Sequence, residues 1–447
     1  MIQRNTMCYD IVVVNSPLFK EPDYISNSDE YLPPIGLGYI SSYLISKNIS
    51  VYLLDTIAEN MSYITLLNKL TLLKPKFISI NIFSTNFNLV KEIIETIDFE
   101  VHFIIGGIST KSLYDAIFKW KTKNNIDIVY GDGELITYDI MLNKLKQDPF
   151  KSIKNKRYFI VDKDSLYFNH NISNLPLDRR LFKNEPIMNV FDKKEVSLIA
   201  SRGCTFSCAY CSASYKRNKG LTVRERTLDS LVDELNKISI LYEDVQTIRI
   251  LDDLFLKDEN SLKKAISVFN MFEYTWRGMA HINSIRNITQ ELFNDLNKSG
   301  CFELSIGIES GSKNIIKMIK KNTKREVVLS VIERLFIANI SVKGYFILGF
   351  PGEEEKDMQD TYKLAYKISE LAKKYSTIFR VSVFQFRPYH GTDLYDMIFS
   401  DEDLYIEENK ELSNMIGRNN FNFTAGNYSK VDTSILNDYI SKLHSLN

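Results

Sequence analysis

Three cysteines stand close together in Ser201-Arg-Gly-Cys204-Thr-Phe-Ser-Cys208-Ala-Tyr-Cys211. Spacings of four and three residues let three thiolates converge from one tight loop. Structural zinc takes four ligands, usually as two separated pairs. No second pair exists here. Of the five cysteines in the chain, Cys8 and Cys301 stand alone, and none of His102, His170, His281, His390 or His444 adjoins the loop. Three soft thiolates suit a 4Fe–4S cluster with one iron left without a protein ligand. Such an open iron can bind a substrate or a cofactor. A zinc site completed by a distant histidine, or a set of reduced core cysteines, is the plainer reading. In a reducing compartment the trio is metal-binding or catalytic rather than disulfide-bonded.

The loop follows an apolar run, Val196–Ala200, so it lies at the C-terminal end of a strand, the functional face of a βα barrel. Further strands are expected at Thr247–Leu251, near Trp276–Ile282, and at Glu303–Ile308, Val342–Leu348 and Val381–Phe386. Helical periodicity fills the gaps between them. That gives six βα units in about 190 residues, where a full eight-unit barrel needs about 250, so a partial (β/α)6 TIM-type barrel is expected. The first 150 residues alternate in the same way. Strands are read at Asp10–Asn15, Val51–Leu54, Phe77–Ile82, Val101–Ile105 and Ile126–Tyr130. The implied fold is α/β, a Rossmann-like doubly wound parallel sheet.

Glycine placement agrees. Of 18 glycines, the six in this region form three pairs, Gly36/Gly38, Gly106/Gly107 and Gly131/Gly133. The last two pairs directly follow strands, where open α/β sheets bind ligands and bare backbone can approach them. The bland alternative is that they are only strand-to-helix turns. The expected organisation is a first domain over residues 1–150, a connector over 151–195, the barrel over 196–395, and a short tail over 396–447 whose stretch Arg418–Asn427 reads as a loop.

Composition narrows the classes. Among 447 residues, 56 Lys+Arg balance 56 Asp+Glu, which argues against a general nucleic-acid binder. No apolar run reaches the roughly 18 residues needed to cross a bilayer. The apolar stretch Ile11–Val14 is too short for a signal peptide, so a cytoplasmic protein is expected. No internal repeat or low-complexity tract is present.

Cys204-x3-Cys208-x2-Cys211 resembles the signature of the radical S-adenosylmethionine (SAM) superfamily. The resemblance implies that the open iron binds the amino and carboxylate groups of SAM, and that the reduced cluster cleaves SAM to a 5′-deoxyadenosyl radical. Leu251-Asp252-Asp253-Leu254-Phe255 resembles the segment that meets the SAM amino group; without the cysteines, these acids would read first as helix N-caps before Asp258–Ser261. Ser305-Ile-Gly307-Ile-Glu309-Ser310-Gly311-Ser312 is similar to the fourth-strand segment, which implies that Ser305 and Glu309 face the ribose and methionine of SAM. Gly344-Tyr-Phe-Ile-Leu-Gly349-Phe-Pro351-Gly352-Glu353 is similar to the fifth-strand segment, which puts Gly349 and Pro351 beside the adenine. Phe386-Arg-Pro388-Tyr-His-Gly391-Thr392 resembles the sixth-strand exit. His281 stands where an arginine is expected in many relatives. It could contact SAM or the substrate, or be a wall histidine.

Residues 8–146 resemble the cobalamin-binding domain fused to one subclass of these enzymes. The similar pieces are Pro33-Pro34-Ile-Gly36-Leu-Gly38-Tyr39, Ser79-Ile-Asn-Ile-Phe-Ser84-Thr85, Gly106-Gly107-Ile-Ser109-Thr110 and Gly131-Asp-Gly133-Glu134. A corrin would lie across the C-terminal edge of the sheet, so Thr85, Gly106, Gly107, Gly131, Gly133 and Glu134 are candidate contacts. The Asp-x-His-x-x-Gly motif of histidine-ligated cobalamin is missing. Glu100-Val-His102 departs from it, so no protein histidine need ligate cobalt. Some relatives keep this domain without cobalamin.

These resemblances imply three ordered readings. The first is a cobalamin-dependent radical SAM methyltransferase acting on an unactivated carbon of a small-molecule or peptide natural-product intermediate. Its electrons would come from a donor such as flavodoxin or ferredoxin. The second keeps the radical chemistry without cobalamin, as a dehydratase, epimerase or cyclase. The third is a non-catalytic metal-binding protein. No membrane and no nucleic-acid partner is expected.

Overall fold

The computed structural model describes residues 9–22, 27, 29–399 and 427–447. Its first sheet contains β1 (Ile11–Asn15), β2 (Val51–Asp55), β3 (Phe77–Asn81), β4 (His102–Gly106), β5 (Asn125–Gly131), β6 (Lys151–Ile153) and β7 (Lys156–Val161), in the order β2-β1-β3-β4-β5-β7-β6. All neighbours are parallel except β6 and β7. Both faces of the sheet are covered, which is why β1 is apolar almost throughout rather than alternating. α1 (Ile35–Ser46) and α5 (Glu134–Met141) cover one face; α2 (Tyr63–Leu73), α3 (Phe87–Thr96) and α4 (Thr110–Phe118) cover the other.

The stretch expected to be a plain connector opens with the β6–β7 hairpin, which extends this sheet to Val161. Lys154 makes the turn in the left-handed region. The rest of the stretch wraps between the two sheets. Its Arg179 is buried and bridges Glu185 at 2.8 Å and Glu234 at 2.6 Å, tying the wrap to the first barrel helix, Leu228–Leu241.

The second sheet begins with β8 (Ile187–Met188) and β9 (Lys194–Leu198). A small hairpin, β10 (Ser201–Arg202) with β11 (Arg224–Glu225), interrupts it. It continues through β12 (Thr247–Ile250), β13 (Thr275–Ala280), β14 (Cys301–Glu309), β15 (Ser341–Leu348) and β16 (Phe379–Gln385). The order is β16-β15-β14-β13-β12-β9-β8, six parallel strands and one antiparallel edge, curled into a half-barrel. Alternation divides its faces. Val196, Leu198, Ile248, Ile250, Leu304, Ile306 and Ile308 pack outward beneath the helices, so their neighbours in sequence turn into the lumen.

The expected tail holds one more helix, Thr433–His444, whose Leu436, Tyr439 and Leu443 join the barrel core. The loop expected at Arg418–Asn427 lies, apart from Asn427, outside the described residues. Cys8 also lies outside them. Cys301 starts β14 and is fully buried in the core. Among the described residues no helix is long and apolar enough to cross a membrane.

Candidate functional site

The cysteine loop leaves the end of β9 and is pinned from three sides. Its Ala209 N–H donates to the Ile319 carbonyl at 2.9 Å, the Ala209 carbonyl accepts from Leu394 N–H at 3.1 Å, and Tyr215 N–H closes the loop on Phe206 at 2.7 Å. Gly203 enters it with φ +93°, and a Cβ there would stand 3.0 Å from the Thr222 carbonyl. Cys208 is buried; Cys204 and Cys211 are half-buried. Burial pushes the Cys211 thiol up to about 12, and the neighbouring Cys208 and Cys204 add to this. Burial likewise raises Cys204 and Cys208, with Lys321 working against it. Thiols held this way become thiolates when a cationic centre stands beside them. No three His, Cys, Asp or Glu among the described residues gather closely enough for a single metal ion. A cubane cluster does not ask for that, because each thiolate binds a different iron.

A polar chain backs the loop. Tyr210, between Cys208 and Cys211, donates its hydroxyl to Glu309 at 2.7 Å, and Glu309 pairs with Lys321 at 3.0 Å; Glu309 and Lys321 are both buried. Glu309 ends β14 at a register shift and sits at φ +65°. The His281 ring stacks on Phe206 with centroids 3.7 Å apart. Its Nδ1 accepts from Asn283 N–H at 3.1 Å, while its Nε2 is buried with no protein partner. Burial, helped by the nearby Lys321 charge, holds this imidazole down to about 3, so it is neutral at physiological pH.

At the C-terminal edge of the first sheet lies a cavity of about 520 Å³, lined mainly by apolar side chains and by Gly36, Gly106, Gly107, Gly131 and Gly133. These glycines play two parts. A Cβ on Gly36 or Gly106 would meet nothing, so bare backbone faces open space. Gly131, at φ +104°, is structural, since a Cβ would collide with the Val161 carbonyl. A second cavity of about 220 Å³ touches Cys204 and Asp253. The two share Gly107, Gly131, Asp132 and Arg202. Across this boundary Arg202, two residues before the first cysteine, grips Asp132 at 2.9 Å and Glu134 at 2.6 Å. Arg224 also pairs with Asp132.

Residues 198–365 match the family model of the radical SAM superfamily, and residues 23–140 match that of the B12 binding domain. The chain thus carries a radical SAM domain and, ahead of it, a B12-binding domain. It is 24% identical over 358 residues to an uncharacterized methyltransferase of Pyrococcus horikoshii, an alignment covering 75% of this chain and 73% of that protein. It is 24% identical over 253 residues to a tRNA-2-methylthio-N(6)-dimethylallyladenosine synthase of Clostridium botulinum, covering 54% of this chain but only 51% of the relative, so the chain spans about half that length. Among solved structures, the cobalamin-dependent SAM radical enzyme OxsB, determined with aqua-cobalamin and SAM bound, has the same fold. The TM-score is 0.64 at 16% identity, over 98% of this chain and 66% of OxsB.

Within this radical SAM frame the expected site residues separate. Cys204, Cys208 and Cys211 share one loop, with Asp253, Glu309 and His281 around it. Asp252 instead accepts from Ala200 N–H at 2.7 Å and from the Ser201 hydroxyl at 2.6 Å, stapling β12 to the start of the cysteine loop. Burial pushes its carboxyl up to about 7. Ser305 is half-buried on the lumen face of β14. Gly349, at φ +89°, and Pro351 lie in the turn after β15. That turn is held by Glu353, which accepts from Gly349 N–H at 2.6 Å and Phe350 N–H at 3.1 Å. On the first sheet, Gly106, Gly107, Gly131, Gly133 and Glu134 all line the large cavity, whereas Thr85, half-buried in the turn after β3, does not. His102 starts β4, at the end of the sheet away from this cavity, where it pairs with Asp127 at 2.9 Å. Sequence reasoning missed Tyr210, Lys321 and Arg202. Tyr210 sits inside the cysteine motif and Arg202 just before it, so both could have been singled out; nothing local marks Lys321.

Proposed function

We propose that this chain methylates an unactivated carbon of a small molecule, using SAM, a 4Fe–4S cluster and cobalamin. The observation that carries the reading is the shared wall of the two cavities: a flat ligand on the edge of the first sheet would face the cysteine loop across Gly107, Gly131 and Arg202. The methyltransferase relative aligns over three-quarters of the chain, and OxsB shares the two-sheet fold, which supports the same reading. The proposed division of labour assigns cobalamin to residues 1–150 and SAM to residues 196–395. An acidic one-electron carrier such as flavodoxin or ferredoxin would supply reductant.

When bound, these groups supply one-electron chemistry and a transferable methyl group. The protein's own residues bind and position. Cys204, Cys208 and Cys211 would hold the cluster, each on its own iron. Asp253, Ser305 and Glu309 would orient SAM, with Glu309 fixed by Tyr210 and Lys321. The orphaned His281 Nε2 is a buried hydrogen-bonding atom left for a ligand. Asp252 acts indirectly, by fixing the strand-to-loop turn. Among the described residues that line the large cavity there is no histidine, so a cobalamin held there would be bound by backbone and apolar side chains rather than through a protein imidazole. The Arg202 clamp keeps the two cavities in register, and the apolar lining keeps water out.

The test is anaerobic reconstitution with iron, sulfide and hydroxocobalamin. The wild type should carry four irons, retain a stoichiometric corrin absorbance band, and form 5′-deoxyadenosine from SAM under reduction. Cys208→Ala should lose the iron and the cleavage together. Iron without a retained corrin would reject methylation in favour of the cobalamin-independent reading.

A further inference from the structure

The lumen of the barrel changes character below the cysteine loop. Arg249, Arg277 and Glu303 are neighbours in the strand register, and Lys343 and Arg380 pair one step further round. Glu195 joins them from β9. The strands bring four cations and two carboxylates into one charged cluster in the lumen, a surplus of two positive charges. Glu195 takes Arg277 at 2.6 Å, and Glu303 takes Arg380 at 2.7 Å. The balancing carboxylates are not part of the barrel. Asp29, on the turn between β1 and α1, meets Arg277 at 2.6 Å, Arg380 at 2.7 Å, Lys343 at 3.1 Å and Arg249 at 3.9 Å. Its neighbour Glu30 lines the same space. The four cations hold the Asp29 carboxyl far below the usual carboxylate range.

A cavity of about 540 Å³ opens on this cluster. Arg249, Lys343 and Arg380, all within reach of Asp29, line it. Tyr345 and Phe384, whose rings lie 5.8 Å apart, line it above them. Register places its two ends. Lys343 pairs with Ser305, four residues below Glu309, and Tyr345 pairs with Gly307, two below. At the rise of a strand these are about 13 Å and about 7 Å. The space is cationic at one level and aromatic at the next, on the side nearer Glu309.

We propose that this cavity is the acceptor site and takes an amphipathic acid, its carboxylate or phosphate group on Arg249, Lys343 and Arg380 and its aromatic or apolar body against Tyr345 and Phe384. Calling it the acceptor site rests on the methyltransferase reading; the binding of acids does not. Asp29 occupies the position to which an incoming anion is drawn, so it competes with the ligand. Charge-assisted hydrogen bonds supply the selectivity for an anion over a neutral analogue.

Calorimetry on the full-length protein, without SAM, tests this with three probes: 3-phenylpropanoate, phenyl phosphate and neutral 3-phenylpropanol. At least one acid should bind, the alcohol should not, and the better acid identifies the anionic group. Lys343→Gln should weaken that acid about tenfold, and Asp29→Asn should tighten it several-fold. Opposite signs from two substitutions in one cluster do not arise from general loss of structure. If Lys343→Gln does not fold, the tightening in Asp29→Asn carries the test. Binding of the alcohol equal to that of the acids, no binding of either acid, an unchanged Lys343→Gln, or an unchanged or weaker Asp29→Asn overturns the proposal. A protein that binds acids but retains no corrin keeps this inference and loses the methyltransferase reading; retained corrin with no acid binding does the reverse.

Discussion

The clamp between the two sheets makes a measurable prediction. The Arg202 side chain is 21% exposed, but its partners Asp132 and Glu134 are only 5% and 2% exposed. Breaking a fully buried pair costs about 3–5 kcal/mol, whereas an exposed pair is worth about 0.2–1 kcal/mol. Two details lower the figure here. Asp132 keeps Arg224 and the Asn169 N–H, and Glu134 keeps the Asn169 amide at 3.0 Å. Arg202→Ala should therefore destabilise by about 2 kcal/mol. In a cycle of wild type, Arg202→Ala, Glu134→Gln and the double variant, urea unfolding should return a coupling energy of about 1.5 kcal/mol. Additivity within about 0.5 kcal/mol would refute the view that this pair joins the glycine-rich edge of the first sheet to the cysteine loop.

Three further outcomes are expected. Burial pushes the Glu353 carboxyl up to about 8, so the folded chain holds that proton more tightly than the unfolded chain does. Its contribution to stability should decline as pH rises from about 4.5 to about 8, and Glu353→Gln should flatten that part of the urea-midpoint profile; an unchanged profile would exclude Glu353 as its source. Gly106→Leu should leave the unfolding midpoint close to wild type while abolishing corrin retention, since its side chain enters open space. Gly131→Ala should instead lower the midpoint sharply, and equal stability of the two variants would contradict the distinction. Tyr210→Phe removes one hydrogen bond from a buried carboxylate that keeps Lys321, which should cost about 1–2 kcal/mol; a neutral result would mean Glu309 does not depend on that hydroxyl.

Much of the architecture was legible because apolar runs and their periodicity report burial directly. The five strands expected in the first sheet and the six expected in the barrel fall where the hydrophobic pattern puts them, and the pairs Gly106/Gly107 and Gly131/Gly133 do stand at strand ends, whereas Gly36 and Gly38 lie in the first turns of α1. The β6–β7 hairpin escaped notice although Tyr158–Val161 is an unbroken apolar run; the charged Lys154–Arg157 cluster before it hid it. At the site, the cysteine spacing carried its chemistry locally. What stayed hidden was pairing at a distance. Asp252 and Asp253 are adjacent in sequence, but only the fold shows that one staples a turn while the other faces the cysteines. Lys321 is one lysine in a basic run until Glu309 and Cys208 are brought to it. The charged layer of the lumen is likewise spread over six strands and a turn from the first sheet, so no window of sequence contains it.

The helix Thr433–His444 lays Leu436, Tyr439 and Leu443 on the outer wall of the barrel. A version trimmed at residue 395 for expression would bare the apolar faces of β16 and of the helix Glu355–Lys374 on which it packs, and such surfaces drive chains into inclusion bodies. Fusion partners and truncation screens should therefore leave this last helix in place, even though the cysteine loop lies more than 200 residues upstream of it in the chain.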